Sequence, residues 1–130
     1  MEKKKKSNDI AVESNGFSIT KECEPYVEGF EGLCKAFMEY TAFHDSWVKR
    51  LDYSYNALAH KAVIDFETEE IHLKFINVHA LEIDFRDIPT EFFWGLGFYI
   101  KDWCDYGKCI VMDVEGFPRI VADKVVFIPN

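Results

Sequence analysis

Three residues with catalytic types of side chain stand side by side in the stretch TAFHDSWVKR: His44, Asp45 and Ser46. A Ser-His-Asp triad needs the imidazole between the hydroxyl and the carboxylate, with all three side chains converging on one reacting atom. Neighbouring residues of an extended chain point to opposite sides, so this stretch is a poor triad. We interpret it as a structural joint, in which Asp45 and Ser46 bond nearby backbone N–H groups, His44 closes a helix and Trp47 enters the core.

No other motif in the chain predicts catalysis. The sequence has no Gly-x-Ser-x-Gly elbow, no glycine-rich phosphate loop and no zinc-protease signature. We therefore predict no catalytic residues, and the prediction for enzyme activity leans towards none.

Histidine and cysteine could also hold a metal, but their spacing does not favour one. Cys23, Cys34, Cys104 and Cys109 form no Cys-x-x-Cys pair. His72 and His79 are seven residues apart, so a metal site would need side chains from distant parts of the chain to coincide. We predict no metal and no cofactor. The cysteines are predicted to be reduced thiols, although Cys104 and Cys109 could face each other across a hairpin.

The elements that must position these residues begin with one amphipathic helix. In EPYVEGFEGLCKAFMEYTAF the apolar residues recur at helical spacing. This stripe comprises Tyr26, Phe30, Leu33, Cys34, Phe37 and either Tyr40 or Thr41. Pro25 suits the first position of the helix. Gly29 and Gly32 weaken a helix, but they can also let it lie close against a sheet.

From Trp47 onwards the period changes to two, which is typical of antiparallel strands with one solvated face. The runs that begin at Ala62 and at Glu70 predict a hairpin, and Leu81 to Phe85 predicts a further strand. The segment KCIVMDVEGFPRIVADKVVFI predicts two more strands, of which the second is apolar on both faces and therefore central.

An aromatic segment, Thr90 to Lys108, separates these groups of strands. Its two glycines, Gly95 and Gly97, argue against a helix. Aromatic side chains dominate binding hot spots when they are exposed, and they dominate cores when they are not. The sequence leaves these two alternatives open. The candidate binding residues are Phe93, Trp94, Tyr99, Trp103 and Tyr106.

These patterns predict an α+β fold that is mainly antiparallel β, with one N-terminal helix packed on a strongly curved sheet or half-barrel of six or seven strands. Residues 1–15 are predicted to be a mobile leader, and residues 16–130 a single globular domain. The lysine-rich start lacks the apolar run of a secretory signal, and no stretch is apolar enough to span a bilayer. We therefore expect a cytoplasmic protein.

The charge of the chain bears on its partners. Its formal net charge is −8, and residues 7–130 carry 11 Lys and Arg against 22 Asp and Glu, a net charge of −11. Such an acidic body repels phosphate backbones, which argues against nucleic-acid binding. A basic protein is its natural electrostatic complement.

The stretch from Phe43 to Phe85 resembles a loose group of small bacterial proteins of unassigned or immunity-type function. In that group a Phe/Leu-His-Asp-Ser/Ala stretch opens a strand, and a Leu-x-Phe-x-x-Val-x-x-Leu run follows a hairpin. Here the first motif falls on Phe43 to Ser46, and the second falls on Leu73, Phe75, Val78 and Leu81. The resemblance implies a β-rich domain with a curved sheet and a non-enzymatic, protein-binding role. It carries over no catalytic residue.

The first functional hypothesis is a protein-binding module that acts as an immunity-type inhibitor of a cognate bacterial toxin with a basic domain. The second is a small-molecule binder or enzyme with a pocket in the curved sheet, lined by Trp94, Tyr99 and Trp103. The third is a structural subunit of a homo-oligomer, such as a homodimer.

Overall fold

The computed structural model describes residues 9–14, 16–39, 48–69, 71–83, 96–114 and 119–129. These residues form nine strands, one α-helix and two short 3-10 helices. The strands are β1 (Ile10–Ser14), β2 (Phe17–Thr20), β3 (Val27–Glu28), β4 (Val48–Asn56), β5 (Lys61–Thr68), β6 (His72–Glu82), β7 (Leu96–Asp102), β8 (Lys108–Val114) and β9 (Arg119–Ile128). The helices are η1 (Lys21–Tyr26), α1 (Phe30–Glu39) and η2 (Cys104–Tyr106).

All nine strands belong to one mixed sheet. Eight of them follow the order β1-β2-β7-β8-β9-β6-β5-β4, and β3 pairs with β9. Most neighbours are antiparallel, but β2 runs parallel to β7 and β3 runs parallel to β9. Strand β9 lies at the centre, paired with β8 and β6, whereas β4 and β1 end the path.

The predicted fold class is therefore wrong in its particulars. The sheet has nine strands rather than six or seven, and it is a mixed sheet rather than a half-barrel with an N-terminal helix. The helix follows three strands instead of preceding the sheet. The sequence reading missed β1, β2 and β3 because they are short and because two of them pair in parallel with strands far along the chain.

Strand β1 lies within the stretch that was predicted to be a mobile leader. It pairs with β2 from Ile10 to Ser14, and Val12 is buried in the core. Among the described residues, no helix is long and apolar enough to cross a membrane.

The helix α1 starts later than predicted, but its buried face is the predicted one. Tyr40 and Thr41, at the end of the predicted stripe, lie outside the described residues. Leu33, Cys34 and Phe37 are buried in the main core. The stretch around Pro25 forms η1 instead of the first turn of α1, and β3 separates the two helices. Gly29 explains the late start, because its φ of 86° cannot continue a right-handed helix.

The predicted hairpin in the middle of the chain and the two predicted strands near its end are confirmed. β5 and β6 form the predicted antiparallel hairpin, and β8 pairs with a central β9. Of the strand predicted from Leu81 to Phe85, Leu81 and Glu82 belong to the end of β6, and residues 84–85 lie outside the described residues. The register between β6 and β9 shifts between Val78 and Ala80, where two residues of β6 match one step of β9.

Glycine lets α1 lie close against β9. A Cβ added at Gly32 would lie 3.2 Å from the Phe127 ring atom Cε2, and one added at Gly29 would lie 3.3 Å from Phe127 Cβ. Both distances are shorter than ordinary van der Waals contact. The sequence-based suggestion that the two glycines allow close packing on a sheet is confirmed.

Gly32→Ala is expected to lower the free energy of unfolding by about 1 kcal/mol, because the new methyl displaces the Phe127 ring. Helix propensity alone predicts the opposite, a gain of about 1 kcal/mol. In a Phe127→Leu background the ring is gone, and the same substitution should become stabilising. Urea denaturation of the four chains of this double-mutant cycle measures the coupling. Stabilisation of the otherwise unchanged protein by Gly32→Ala would contradict the close contact.

Candidate functional site

A cleft opens where the β4–β5 hairpin separates from β6. The last pair between β5 and β6 is Val63 with Ile76, whereas β4 and β5 stay paired as far as Asn56 and Lys61. Beyond this pair the hairpin and β6 both continue, but they are no longer paired with each other. The gap between the tip of the hairpin and the second half of β6 has a volume of about 390 Å³. We call it the hairpin cleft.

Exposed tyrosines line the hairpin cleft. Tyr53 and Tyr55 project from β4, and Tyr106 reaches the cleft from η2. Each of the three is more than half exposed. Leu58, which is 96 % exposed, lies in the turn between β4 and β5. Five large hydrophobic residues are exposed in the described part of the chain. Four of them lie on the β4–β5 hairpin or on η2, and the fifth, Met38, lies on α1.

The position of β4 at the end of the described sheet path explains why these tyrosines are exposed. Tyr53 pairs with Ile64 and Tyr55 with Ala62, so both tyrosines lie on the same side of the sheet as buried residues of β5. Because β4 ends the sheet path, however, β5 is its sole strand partner among the residues that the structure describes. Their rings are therefore covered on one side only.

A histidine and an aspartate form the floor of the hairpin cleft. His79 Nε2 lies 2.7 Å from Asp123 Oδ1, and the Asn77 side-chain amide donates a hydrogen bond to the other carboxylate oxygen. The ring of Tyr106 stacks on the His79 ring, with centroids 4.0 Å apart and planes 22° from parallel. Asn77 has a φ of 58°, an unusual conformation that places it beside the bulge in β6. The floor is thus held by contacts from three elements.

Cys109 lies beside this pair. Its residue is fully buried, and its Sγ is 4.0 Å from Asp123 Oδ1 and 3.8 Å from the carbonyl oxygen of Gly107. Burial, and then the charge of Asp123, raise the pKa of the Cys109 thiol. Without a bound cation this cysteine is a protonated thiol and a poor nucleophile.

The other cysteines give no better nucleophile. Burial raises the pKa of Cys23 to about 11, and it also raises the pKa of Cys34. Cys104 is exposed, and all four cysteines are free, so Cys104 and Cys109 are not paired. The chemistry that this region can perform is therefore binding rather than thiol catalysis.

The structure separates the residues that were predicted to bind. Tyr106 lines the hairpin cleft, whereas Tyr99 and Trp103 pack on a small second cluster formed by buried Cys109, Val111 and Val121. Of the residues predicted to line a pocket, Tyr99 and Trp103 do not line the hairpin cleft. Phe93 and Trp94 lie outside the described residues, as does the whole predicted joint of His44, Asp45, Ser46 and Trp47.

Tyr99 instead belongs to a polar chain on the neighbouring strands. Arg119 donates hydrogen bonds to the Tyr99 hydroxyl at 3.4 Å and to Glu82 at 3.2 Å, and the Tyr99 hydroxyl donates to Asp113 at 3.4 Å. The bonds to Tyr99 and then Glu82 raise the pKa of Arg119. These contacts tie β7, β8, β9 and β6 together, so we assign Tyr99 a structural role.

Sequence reasoning did not single out Tyr53, Tyr55, His79, Asp123 or Cys109 as site residues. Tyr53 and Tyr55 carried a usable signal, because two aromatic residues alternate there with Asp52 and Ser54 in a strand rich in polar residues. The floor residues carried none, since their meeting depends on the order of β8, β9 and β6.

Comparison of the chain with family models, with curated proteins and with solved structures finds no match. We therefore infer the function from the hairpin cleft itself.

Proposed function

We propose that this chain is a non-enzymatic protein-binding module, of the immunity type, that blocks a basic toxin domain in the bacterial cytoplasm. The observation that carries the proposal is the convergence of Tyr53, Tyr55 and Tyr106 on one open cleft. Exposed tyrosines clustered in this way are typical of binding hot spots, because each offers a large apolar ring and a polar hydroxyl at low entropic cost.

The charge of the chain supports a basic partner. Its net charge of −8 favours encounter with a positively charged protein and raises the rate of association at low salt. Asp123, with a side chain that is 44 % exposed, offers a carboxylate at the floor of the cleft. An Arg or Lys side chain of the partner that enters the cleft would meet this carboxylate between tyrosine rings, where cation–π contact adds attraction.

In the part of the chain that the structure describes, β4 ends the sheet path, and this gives the same partner a second means of attachment. An edge strand presents unpaired backbone groups on its outer side, and an extended segment of another protein can pair with them. Four reduced cysteines agree with a cytoplasmic location, where thiols are kept reduced.

Photo-crosslinking in cells that encode the chain tests this proposal. With benzoylphenylalanine in place of Tyr55, we expect one prominent adduct, formed with a basic protein. The matched control carries the same group in place of Met38, which is 58 % exposed on α1, and should give at most a tenth of that adduct. Equal adducts from both positions, or an adduct formed with a second copy of this chain alone, would contradict the proposal. The latter result would favour a homodimer.

A further inference from the structure

Three side chains with different metal-binding atoms meet at the floor of the hairpin cleft. His79, Cys109 and Asp123 each offer one donor atom, and the three atoms lie within 4.8 Å of one another. A metal site in this chain needs side chains from distant parts of the sequence to meet, and this cluster brings three of them together. We propose that His79, Cys109 and Asp123 bind a single Zn²⁺ ion, an activity that does not depend on the protein-binding proposal.

The register of the sheet brings the three residues together. They lie on β6, β8 and β9, which are neighbours in the order β8-β9-β6. Ala122 pairs with Ile110 on one side and with Val78 on the other. One step from these pairs, Cys109 and Asn77 lie opposite Asp123, whereas His79 lies on the other side of Val78. The bulge between Val78 and Ala80 contains His79, and bulges of this kind redirect a side chain.

The donor set suits zinc better than a hard cation. Zn²⁺ prefers thiolate and imidazole with an occasional carboxylate, whereas Mg²⁺ and Ca²⁺ prefer oxygen donors alone. With a thiolate and a carboxylate, the protein charges balance the two positive charges of the ion. As the Zn–S bond forms, the thiol proton of Cys109 leaves to solvent.

The distances fit a tetrahedral site after small side-chain rotations. With metal–nitrogen and metal–oxygen bonds of about 2.0 Å and a metal–sulfur bond of about 2.3 Å, tetrahedral donors lie about 3.3–3.6 Å apart. The Nε2–Oδ1 distance of 2.7 Å is shorter than this, and the Sγ–Oδ1 distance of 4.0 Å is longer. An ion between the three atoms would lengthen the first and shorten the second.

Neighbouring contacts orient the donors. Asn77 bonds one oxygen of Asp123 and leaves Oδ1 facing His79, while Tyr106 stacks on the His79 ring and limits its rotation. Such outer contacts are regular partners of protein metal ligands. The side chain of Asp123 is 44 % exposed towards the cleft, so an ion can enter there and a water molecule can complete the coordination.

Co²⁺ titration of the full chain, purified with a chelator and kept reduced, tests the site through the sulfur-to-cobalt charge-transfer absorption. We expect one equivalent of Co²⁺ to produce this absorption and Zn²⁺ to remove it by displacement, with no competition from Mg²⁺. Cys109→Ser should abolish the absorption, and Asp123→Asn should weaken Co²⁺ binding at least tenfold. Because Cys109 is buried, Asp123→Asn keeps the test decisive if Cys109→Ser does not fold.

Two control variants separate this site from adventitious binding. Cys104→Ser removes an exposed thiol on the neighbouring η2 and should leave the absorption unchanged. His72 is likewise paired with an aspartate, Asp65, at 2.9 Å, but it lies outside the cluster of three donors. The His72→Gln variant should therefore also leave the absorption unchanged. Loss of the signal in Cys104→Ser, or no charge-transfer absorption in the unsubstituted chain, would overturn the proposal.

Discussion

Replacement of Phe75 by alanine is expected to lower the free energy of unfolding by about 3–5 kcal/mol. Phe75 is fully buried on β6, where it pairs with Ile64 of β5 and Val125 of β9, both also fully buried. Its ring therefore lies where the hairpin that carries the cleft joins the central strand. Removing the ring leaves a cavity that rigid neighbouring strands fill poorly.

The measurement is urea denaturation, followed by tryptophan fluorescence, with a matched control on the hairpin tip. Leu58→Ala removes a side chain that is 96 % exposed, so it should change the free energy of unfolding by no more than about 0.5 kcal/mol. A loss of stability in Leu58→Ala comparable with that in Phe75→Ala would contradict the position of the hairpin relative to the core.

The parts of the fold that sequence analysis predicted are those where one local period dominates. Ile64, Phe66, Leu73 and Phe75 alternate with polar residues, and all four are fully buried as that alternation indicates. The helical stripe was equally readable, since Leu33 and Phe37 are spaced for one face of a helix. In these segments the hydrophobic pattern and the tertiary structure demand the same conformation.

The parts that were missed depend on contacts between residues far apart in the chain. Phe17 of β2 pairs in parallel with Leu96, and Val27 of β3 pairs in parallel with Val125. No local pattern encodes a parallel partner at such a distance. The late start of α1 had a local signal in Gly29, but the close approach of Phe127 to that residue depends on how α1 packs on β9.

The candidate site shows the same division. Tyr106 was predicted as a binding residue because aromatic composition is visible in the sequence, and it does line the cleft. His79 and Asp123 are separated by 44 residues and Cys109 belongs to another strand, so only the strand order brings them together. The bulge that directs His79 towards Asp123 likewise arises from the pairing of β6 with β9.

The proposed protein-binding face and the proposed metal site share the hairpin cleft, but they can be tested separately. Tyr53 and Tyr55 contribute no metal donor, and Cys109 is buried away from a partner's reach. Tyrosine variants should therefore bind Co²⁺ normally, while Cys104→Ser should affect neither property. Tyr106 and Asp123 belong to both proposals, so neither residue is suitable for distinguishing them.

The combined substitution Tyr53→Ala, Tyr55→Ala is expected to weaken partner binding by at least 2 kcal/mol, which is about thirtyfold in the dissociation constant. Both side chains are more than half exposed, so the substitution removes contact area for the partner while the core stays packed. Met38→Ala is the matched control, because it removes an equally exposed hydrophobic side chain from α1.

Isothermal titration calorimetry of the crosslinked partner, prepared as a free protein, measures this effect most directly. We predict the thirtyfold loss for the tyrosine pair, unchanged affinity for Met38→Ala, and unchanged thermal unfolding for both variants. Unaltered affinity in the tyrosine variant, with its fold intact, would contradict the claim that the hairpin cleft is the binding face.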